Sequence, residues 1–499
     1  MTDRKTFSSR TPVNENPEQV RYRRGFVTRH QVSGWRFLMR RIASGVALHD
    51  TRMLVDPLRT QSRSVLVGAL VLVTGLAGCF VFSLIRPAGV AGNDVILADR
   101  ETSALYVRVG DQLHPVLNLT SARLAAGKPV NPVMVKSAEL DKFPRGVLVG
   151  IPGAPERMVQ GADRNADWTV CDGPGSDGVG VVSVIAGPLT TGGARVTALA
   201  ADSAVLVDNG AGTWLLWDGR RSLVDLHDRA VTAALGFGES AVPRPISPGL
   251  FNAVPEGLPL RAPVIPGAGG PPQFPLPVPA PVGSVVAAYG ADGAALYYAV
   301  LGDGLQPISP VLAAVLRNTA SYGLAQPPRL TADDVTRLPV SHQLDTGVFP
   351  ERPLTLVDPT ASPLTCVHWT RTVGAETSSL ALMSGSALPV PDGRHPVQLV
   401  AGSQATRAYL EPGIGYLVRT VGQAPAAPPA GALFWVSDTG VRYGIDGGSD
   451  PDGVDKTVAA LGLSLPAVDV PWSVLTLFGP GPALSPADAL TAYRETETR

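Results

Sequence analysis

The sequence of 499 residues is 45% apolar and contains 54 Gly and 47 Pro, a content that favours a folded protein with many short strands and turns over a disordered low-complexity chain. Charge is divided along the chain: the first 64 residues carry 13 Lys/Arg against 5 Asp/Glu, and the rest carries 28 against 37. After residue 64 the balance is acidic and no basic and aromatic cluster occurs, which excludes nucleic acid as the expected partner of that part.

The chain before residue 65 is predicted to have two segments. Residues 1–20 are polar and predicted to be disordered, and residues 21–64 are predicted to form a basic amphipathic helical segment. Its apolar side chains recur at three- and four-residue spacing from Trp35 to Val46. Such a helix binds anionic headgroups, binds a partner protein or packs in a small bundle. Because the segment is too short to bury both faces alone, we expect a partner protein. The residues expected to bind it are Trp35, Arg36, Phe37, Leu38, Arg40 and Arg41.

Residues 65–85 form an uncharged apolar run that is predicted to span a membrane. A helix of this length reaches about 32 Å, enough to cross a hydrocarbon core of about 30 Å. A signal peptide would have a shorter apolar core near residue 1, and a buried core helix is rarely this long. Arg52, Arg59 and Arg63 precede the run closely, so the positive-inside rule predicts a cytoplasmic N-terminus and an exported part at residues 86–499. The glycines expected to let a neighbouring membrane helix approach are Gly68, Gly75 and Gly78.

The segments QVSGWRFLMRR and DTRMLVDPLRTQ, followed by one span and a large exported part, resemble the EccB family. Its members are single-pass membrane subunits of type VII (ESX) secretion systems in mycobacteria and other actinobacteria. The resemblance covers nearly the whole chain and implies an inner-membrane protein with four repeats around a central domain. It also implies contacts with EccC, EccD, EccE and the mycosin protease, and self-association of the exported domains. No cofactor is expected, because no cofactor-binding motif is recognisable in the sequence. The matching positions are Gln31, Ser33, Gly34, Arg36, Phe37, Arg40, Arg41, Asp50, Arg52, Met53, Asp56, Pro57, Leu58, Arg59 and Gln61.

The three cysteines fall on two sides of the predicted membrane boundary. Cys79 lies inside the span, where a thiol acts as a small apolar side chain. Cys171 and Cys366 both lie in the exported part, where an oxidising compartment favours a disulfide between them. That bond would close a loop of about 195 residues and contribute on the order of 5 kcal/mol in the chain-entropy model. Two unpaired buried thiols are the alternative.

The exported part is predicted to contain an internal duplication. LYVRVGDQLHPV, from Leu105, aligns with YYAVLGDGLQPI, from Tyr297, and Cys171 aligns with Cys366 after a three-residue insertion. A weaker pair is TWLLWDGRRSLVDL and LFWVSDTGVRYGI. Each of the four segments predicts a strand, an Asp/Gly turn, a second strand and a helix. The expected fold class is therefore α+β, a β-rich duplicated body in which four small β-turn-β-α repeats flank a central β domain.

These patterns predict the organisation of the whole chain. Residues 269–283 are rich in Pro and are expected to act as a semi-rigid spacer between the two copies. The predicted segments of the exported part are 86–160 (linker and repeat 1), 161–211 (central domain, first part), 212–268 (repeat 2), 269–283 (connector), 284–344 (repeat 3), 345–430 (central domain, second part), 431–485 (repeat 4) and 486–499 (tail).

The exported part contains no complete catalytic or metal-binding motif. The Gly-rich run DGPGSDGVG at residues 172–180 has no Lys and is typical of a turn more than of a nucleotide cradle. His368 is expected to be a structural neighbour of Cys366 and not a catalytic base. The acidic run DGGSDPDGVD favours a solvated turn over a Ca²⁺ site, so no metal is expected. The carboxylates that such a site would use are Asp446, Asp450, Asp452 and Asp455.

Two classes of function follow from the sequence. The first is a structural core subunit that anchors and links cytosolic components to an extracytoplasmic scaffold for protein export. The alternative is an exported nucleotide or cell-wall hydrolase whose activity depends on Asp172 or Asp177. The lack of a recognisable motif favours the first class and a protein that is not an enzyme.

Overall fold

The computed structural model describes residues 28–49, 57–85, 89–175, 180–238, 241–399 and 402–493. The chain divides into two compact units, residues 1–88 and residues 89–499. We call the second unit the body. The disorder predicted for residues 1–20 concerns residues outside the described ones.

The described residues of the first unit form two helices, α1 (Arg29–Leu48) and α2 (Pro57–Ile85). A capping box starts α1: the Thr28 hydroxyl accepts a hydrogen bond from the Gln31 backbone, and the Gln31 side chain accepts one from the Thr28 backbone. Helix α2 begins at a proline, a residue suited to the first helical position because its missing N–H would have no partner there. From Arg63 to Val81, α2 is long and apolar enough to cross a membrane, and this stretch overlaps the predicted span.

Sheet 1 and its helices open the body. Their elements are β1 (Ile96–Asp99), β2 (Leu105–Val109), β3 (Gln112–Val116), α3 (Leu119–Ala126), β4 (Val133–Val135) and α4 (Ser137–Leu140). The strand order is β3-β2-β1-β4. Asn118 caps α3 by accepting a hydrogen bond from the Ser121 backbone N–H at 2.9 Å.

The first strands of the central sheet and then sheet 2 follow along the chain. The central strands are β5 (Ala166–Pro174), β6 (Gly180–Ala186) and β7 (Thr197–Ala198). Sheet 2 and its helices comprise β8 (Ser203–Asp208), β9 (Thr213–Trp217), β10 (Arg220–Leu223), α5 (Arg229–Leu235), β11 (Arg244–Pro245) and α6 (Pro248–Ala253). Asp218 and Gly219 join β9 to β10 with φ angles of 45° and 71°, the positive values that a type I′ hairpin turn requires.

Sheet 3 comes next and is a three-stranded antiparallel sheet in the order β12-β13-β14. Its elements are β12 (Val285–Tyr289), β13 (Ala295–Val300), β14 (Leu305–Ile308), α7 (Pro310–Thr319) and α8 (Ala332–Arg337), followed by a 3-10 turn at Thr346–Val348. The chain then adds β15 (Thr355–Leu356) to sheet 2 and returns to the central sheet. The returning strands are β16 (Leu364–Arg371), β17 (Ser379–Gly385), β18 (Val397–Gln398) and β19 (Arg407–Tyr409).

Sheet 4 and three helices complete the body. Their elements are β20 (Tyr416–Val421), β21 (Leu433–Val436), β22 (Val441–Gly444), α9 (Gly453–Leu461), β23 (Val468–Pro471), α10 (Trp472–Leu475), β24 (Gly479–Pro480) and α11 (Pro486–Ala489). The strand order is β23-β20-β21-β22-β24. After α11 the chain turns back to sheet 1, where the Tyr493 N–H donates to the Leu148 carbonyl at 2.9 Å.

The central sheet mixes strands from both parts of the sequence, in the order β18-β19-β6-β5-β16-β17-β7. β5 and β16 are antiparallel neighbours in its middle. The early strand β7 pairs with the late strand β17, and the late strand β19 pairs with the early strand β6. The later half therefore places β18 and β19 beside the early strand β6, and the earlier half places β7 beside the late strand β17.

The smaller sheets associate in pairs through their helices. Helix α5 of sheet 2 packs on α7 of sheet 3, and helix α3 of sheet 1 packs on α9 of sheet 4. The first pair shares an apolar cluster that includes Leu235 and Leu312, and the second shares one that includes Leu124 and Leu461. A third cluster joins the central sheet to sheets 2 and 4 around Trp168, whose indole N–H donates to the Asp469 carbonyl at 2.8 Å.

In sheets 1, 2 and 3 a proline-containing segment covers the edge of the hairpin. In each case a backbone N–H of the second hairpin strand donates to a proline carbonyl, so the segment continues the sheet in parallel and shields an open edge. The pairs are Leu113 to Pro144 at 2.9 Å, Arg221 to Pro255 at 2.8 Å, and Leu305 to Pro339 at 2.8 Å.

The Pro-rich segment differs from the semi-rigid spacer expected from the sequence. Its ends meet: the Gly269 N–H donates to the Val282 carbonyl and the Val282 N–H donates to the Gly270 carbonyl, both at 2.8 Å. Between them, alternate side chains such as Phe274 and Leu276 pack on the apolar cluster of sheet 3. The segment is a closed loop that covers sheet 3. Its alternating apolar side chains are removed from water there, which stabilises the loop, whereas an extended spacer would leave them exposed.

Three strands that the sequence predicts in the central domain lie outside the central sheet. Strands β8 and β15 belong to sheet 2, and β20 belongs to sheet 4. Strand β8 belongs to sheet 2 because a tight loop connects it to β9, with which it pairs. In that loop the Asn209 side chain accepts hydrogen bonds from the backbone of Ala211 and Gly212, each at 3.0 Å.

Candidate functional site

The disulfide predicted from the sequence is present in the middle of the body. Cys171 on β5 and Cys366 on β16 are directly opposed across the two antiparallel strands, with their Cα atoms 4.0 Å apart. Both side chains are buried against Ile185, Val196 and Met383. The bond therefore joins the two halves of the sequence where their strands meet, and it leaves no thiol at these positions for nucleophilic chemistry.

Helix α1 carries its apolar side chains on the surface of its unit. Trp35 is 64% exposed, Leu38 57% and Phe37 58%, and Arg36, Arg40 and Arg41 are also exposed. At 3.6 residues per turn, Leu38 lies on the side of Trp35, whereas Phe37 lies on the opposite side among the arginines. The apolar residues at three- and four-residue spacing therefore form one face of α1. Phe37 exposes a second aromatic side chain on the opposite face.

The three glycines of α2 have open space around them. A Cβ placed at Gly68, Gly75 or Gly78 would meet no atom within 4 Å. Thr74, on the same helix, satisfies its hydroxyl internally by donating to the Leu70 carbonyl at 2.7 Å. Cys79 is exposed on this helix as well. Close approach of a neighbouring helix at the glycines remains a prediction.

The described ends of the Gly-rich run do not have the surroundings of a phosphate-binding loop. Residues 172–174 end β5 and Gly180 begins β6, and these two strands are antiparallel neighbours in register from Trp168 and Ala186 to Pro174 and Gly180. A phosphate loop instead leads from a strand into the N-terminus of a helix, where backbone N–H groups hold the phosphate. Asp172 is described at the start of the run, whereas Asp177 lies outside the described residues.

Asp172 lines a cavity of about 300 Å³ at the junction of the central sheet, β11 and α6. Its carboxylate accepts hydrogen bonds from the Ser247 backbone N–H at 2.6 Å and from the Ser247 hydroxyl at 2.9 Å. Burial nevertheless raises the pKa of Asp172. Arg244 lines the same cavity, and burial lowers the pKa of its guanidinium to about 10. The sequence pattern pointed to Asp172 but did not connect it with Arg244, because the two residues lie far apart along the chain.

The acidic run near residue 450 forms turns and an ion pair. The Asp446 carboxylate accepts from the Gly448 N–H at 2.9 Å, and Asp450 accepts from the Asp452 N–H at 3.1 Å and binds the Lys456 ammonium. The hydrogen bond from Lys456 is the main cause of the lowered pKa of Asp450. No group of three metal-ligating side chains converges here or elsewhere in the described part of the chain.

His368 has a polar partner on the neighbouring strand. Its Nε2 atom lies 2.8 Å from Oδ1 of Asp167. The two side chains are only about one fifth and one quarter exposed. His368 stands two residues from Cys366, which is in the disulfide, so the pair links β16 to β5 beside that bond.

A buried arginine, which the sequence reading missed, ties the central sheet to sheet 4. Arg371 is 7% exposed and donates to the carbonyls of Ala375, Glu376 and Ala427 at 3.0 to 3.1 Å. Its guanidinium also lies 3.4 Å from the Asp469 carboxylate on β23. Burial raises the pKa of Asp469, and Arg371 opposes that shift.

Comparison with known proteins identifies the family. Residues 24–496 match the family described as type VII secretion system ESX-1, transport TM domain B. The chain belongs to the EccB family. It is 65% identical over 504 residues to the ESX-3 secretion system ATPase EccB3 of Mycolicibacterium smegmatis, covering 99% of this chain and 96% of that protein. It is 63% identical to the protein of the same name in Mycobacterium tuberculosis H37Rv, covering 98% and 94% of the two chains.

Solved structures from two ESX complexes contain a chain with the same fold. An EccB3 dimer from the ESX-3 core complex is 59% identical with a TM-score of 0.73, covering 80% of this chain and all of that one. A chain of an intact ESX-5 inner membrane complex is 36% identical with a TM-score of 0.74, covering 96% and 98%. The predicted resemblance to EccB is thereby confirmed, as is a strand-rich α+β chain with one apolar helix near its N-terminus.

Proposed function

We propose that this EccB protein is a structural core subunit of a type VII secretion inner-membrane complex. The observation that carries the proposal is the match of this chain to a chain of an intact ESX-5 inner membrane complex and to an EccB3 dimer from the ESX-3 core complex. The fold supports it: one helix long enough to cross a membrane precedes a β-rich body that is fastened by a disulfide. Such a chain anchors and positions other components.

We infer that the N-terminus is cytoplasmic and that the body is exported. The basic residues before α2 and the acidic balance after it support this orientation under the positive-inside rule. The disulfide adds support, because such bonds persist in oxidising compartments and are rare in the bacterial cytosol.

Helix α1 is proposed to bind a cytosolic protein subunit. A lipid surface contacts one side of an interfacial helix. Trp35 and Phe37 are exposed on opposite sides of α1, which favours a protein that contacts both sides. EccC and EccD are the proposed cytosolic partners, with EccE and the mycosin protease as further subunits. The bilayer surrounds α2, and the bodies associate with one another.

The body is proposed to be an internal duplication of a unit with two hairpin-helix modules. Gln160 pairs with Gly415 at the start of sheet 4, and Thr355 pairs with Ser203 at the start of sheet 2, both in parallel. Gln160 and Thr355 stand 195 positions apart, the separation that also relates the two disulfide cysteines. The segments at Gln160 and Thr355 therefore make equivalent contacts in the two halves. The helix pairs α3–α9 and α5–α7 are also equivalent, because each pair joins one helix from the first half to one from the second.

A hydrolase is the second candidate, favoured by the word ATPase in the names of the EccB relatives. Against it stands the Gly-rich run, which joins two antiparallel strands and does not lead into a helix. We therefore propose a role that does not require catalysis.

Replacement of the chain in a cell that depends on it tests the proposal. Without the chain, the remaining subunits should fail to form the full-size complex on native gels of detergent-solubilised membranes. The full chain and a variant with Asp172→Asn should restore that complex equally. A full-size complex in cells that lack the chain would overturn the structural role.

A further inference from the structure

The cavity beside Asp172 has an unusual combination of opposite charges and apolar walls. It measures about 300 Å³, the lower end of the range for small-molecule sites and small for a nucleoside triphosphate. Asp172 on β5 and Arg244 on β11 both line it. Much of the remaining wall is apolar, formed by Pro174, Pro245, Leu250 and Pro363 among others.

The two charged groups face the same cavity and are not paired with each other. Arg244 donates to the Ser362 carbonyl at 2.9 Å and to the Thr365 hydroxyl, which leaves other N–H donors of its guanidinium unused. Asp172 is 7% exposed, and its carboxylate accepts hydrogen bonds from the backbone N–H and the hydroxyl of Ser247. Between these two described side chains there is no ion pair, although each attracts the other through the cavity.

A ligand with one charge would complement only half of this site. A simple anion at Arg244 would face the Asp172 carboxylate, and a simple cation at Asp172 would face the guanidinium. A zwitterion satisfies both, since a carboxylate suits the planar donors of arginine and an ammonium suits a carboxylate. The apolar wall then accommodates an uncharged hydrocarbon part of the ligand.

We propose that this cavity binds a free amino acid with an apolar side chain, with its carboxylate at Arg244 and its ammonium at Asp172. The volume suits a molecule of that size. The site is independent of the proposed assembly role, so its failure would leave that role untouched.

Equilibrium dialysis of the full-length chain in detergent micelles with radiolabelled leucine tests the proposal. Leucine should bind saturably and raise the unfolding temperature as its concentration increases. Leucinamide lacks the carboxylate and 4-methylpentanoate lacks the ammonium, so each should bind about tenfold more weakly or worse, which corresponds to about 1.4 kcal/mol. No saturable leucine binding at millimolar concentration would overturn the proposal.

Two variants assign each charge to its group on the ligand. Asp172→Asn keeps an oxygen that accepts from Ser247 and removes only the charge, so it should abolish the preference for leucine over 4-methylpentanoate while keeping that over leucinamide. Arg244→Gln should do the reverse. If these residues had only a structural role, each variant would bind leucine, leucinamide and 4-methylpentanoate more weakly by the same factor. That result would contradict the assignment.

A substitution at the edge of the cavity tests the proposal even if the Asp172 and Arg244 variants misfold. Pro359 is exposed at the cavity, so Pro359→Trp should obstruct it without altering the core and should abolish leucine binding. The matched control is Pro271→Trp, at an exposed proline outside the cavity, which should bind leucine normally. Normal binding by Pro359→Trp would overturn the proposal.

Discussion

Cys171 and Cys366 are opposed across β5 and β16, so the only disulfide among the described residues joins the two halves of the body at the centre of its largest sheet. The same sheet interleaves strands from both halves on either side of that bond. The two halves are therefore expected to fold and unfold together, as one cooperative structure.

Replacing Cys171 and Cys366 by Ser should destabilise the body by about 2–5 kcal/mol, because the unfolded chain regains the freedom that a long closed loop removes. Urea unfolding of the full-length chain in detergent, followed by tryptophan fluorescence, measures the change. Cys79→Ser is the matched control and should leave the midpoint unchanged, because Cys79 is exposed on α2. Equal midpoints for the wild type and the double variant would show that the bond contributes nothing.

Replacing Arg371 by Met should cost about 3–5 kcal/mol, because it leaves three carbonyls and a partly buried carboxylate without their buried partner. The same urea titration reports it. Arg337→Met is the control, since its ion pair with Asp333 is exposed and should contribute at most about 1 kcal/mol. A loss for Arg371→Met no larger than that for the control would refute the role of Arg371 as a tie between the central sheet and sheet 4.

Leu312→Ala should destabilise the body by about 2–5 kcal/mol, since Leu312 is 1% exposed in the apolar cluster that sheets 2 and 3 share. Leu296→Ala offers the same chemical change at a position that is 46% exposed and should cost far less. Thermal unfolding of both variants distinguishes them. Matching unfolding temperatures would mean that the cluster is not needed to hold the two sheets together.

The purified full-length chain should hydrolyse ATP no faster than its Asp172→Asn and Asp177→Asn variants, because the Gly-rich run is a connection between antiparallel strands. Phosphate release at saturating ATP and Mg²⁺ measures the rate. ATP turnover that disappears in either variant, with an unchanged unfolding temperature, would instead favour the hydrolase.

Local patterns in the sequence predicted the features that depend on neighbouring residues. The uncharged run of residues 65–85 predicted the apolar helix, and Asp218-Gly219 predicted a hairpin turn whose φ angles the structure shows to be positive. The disulfide was predictable because Cys171 and Cys366 were the only cysteines outside the span.

Features that depend on distant parts of the chain were not predictable in this way. The pairing of β19 with β6 joins residues more than 200 positions apart, and no periodicity encodes such a contact. The Pro-rich loop was misread because its composition is that of a spacer, whereas burial of Phe274 decides its shape. Arg244 and Asp172 meet at one cavity only after two sheets have packed.

This chain is proposed to link the subunits of a membrane complex through helix α1 on the cytosolic side. The most direct test purifies the complex through an affinity tag on another subunit, from cells whose chain lacks residues 20–60. A chain that lacks residues 494–499 serves as the control. Deletion of residues 20–60 should abolish co-purification of this chain, whereas deletion of residues 494–499 should leave it unchanged. Undiminished recovery after the deletion of residues 20–60 would contradict the claim.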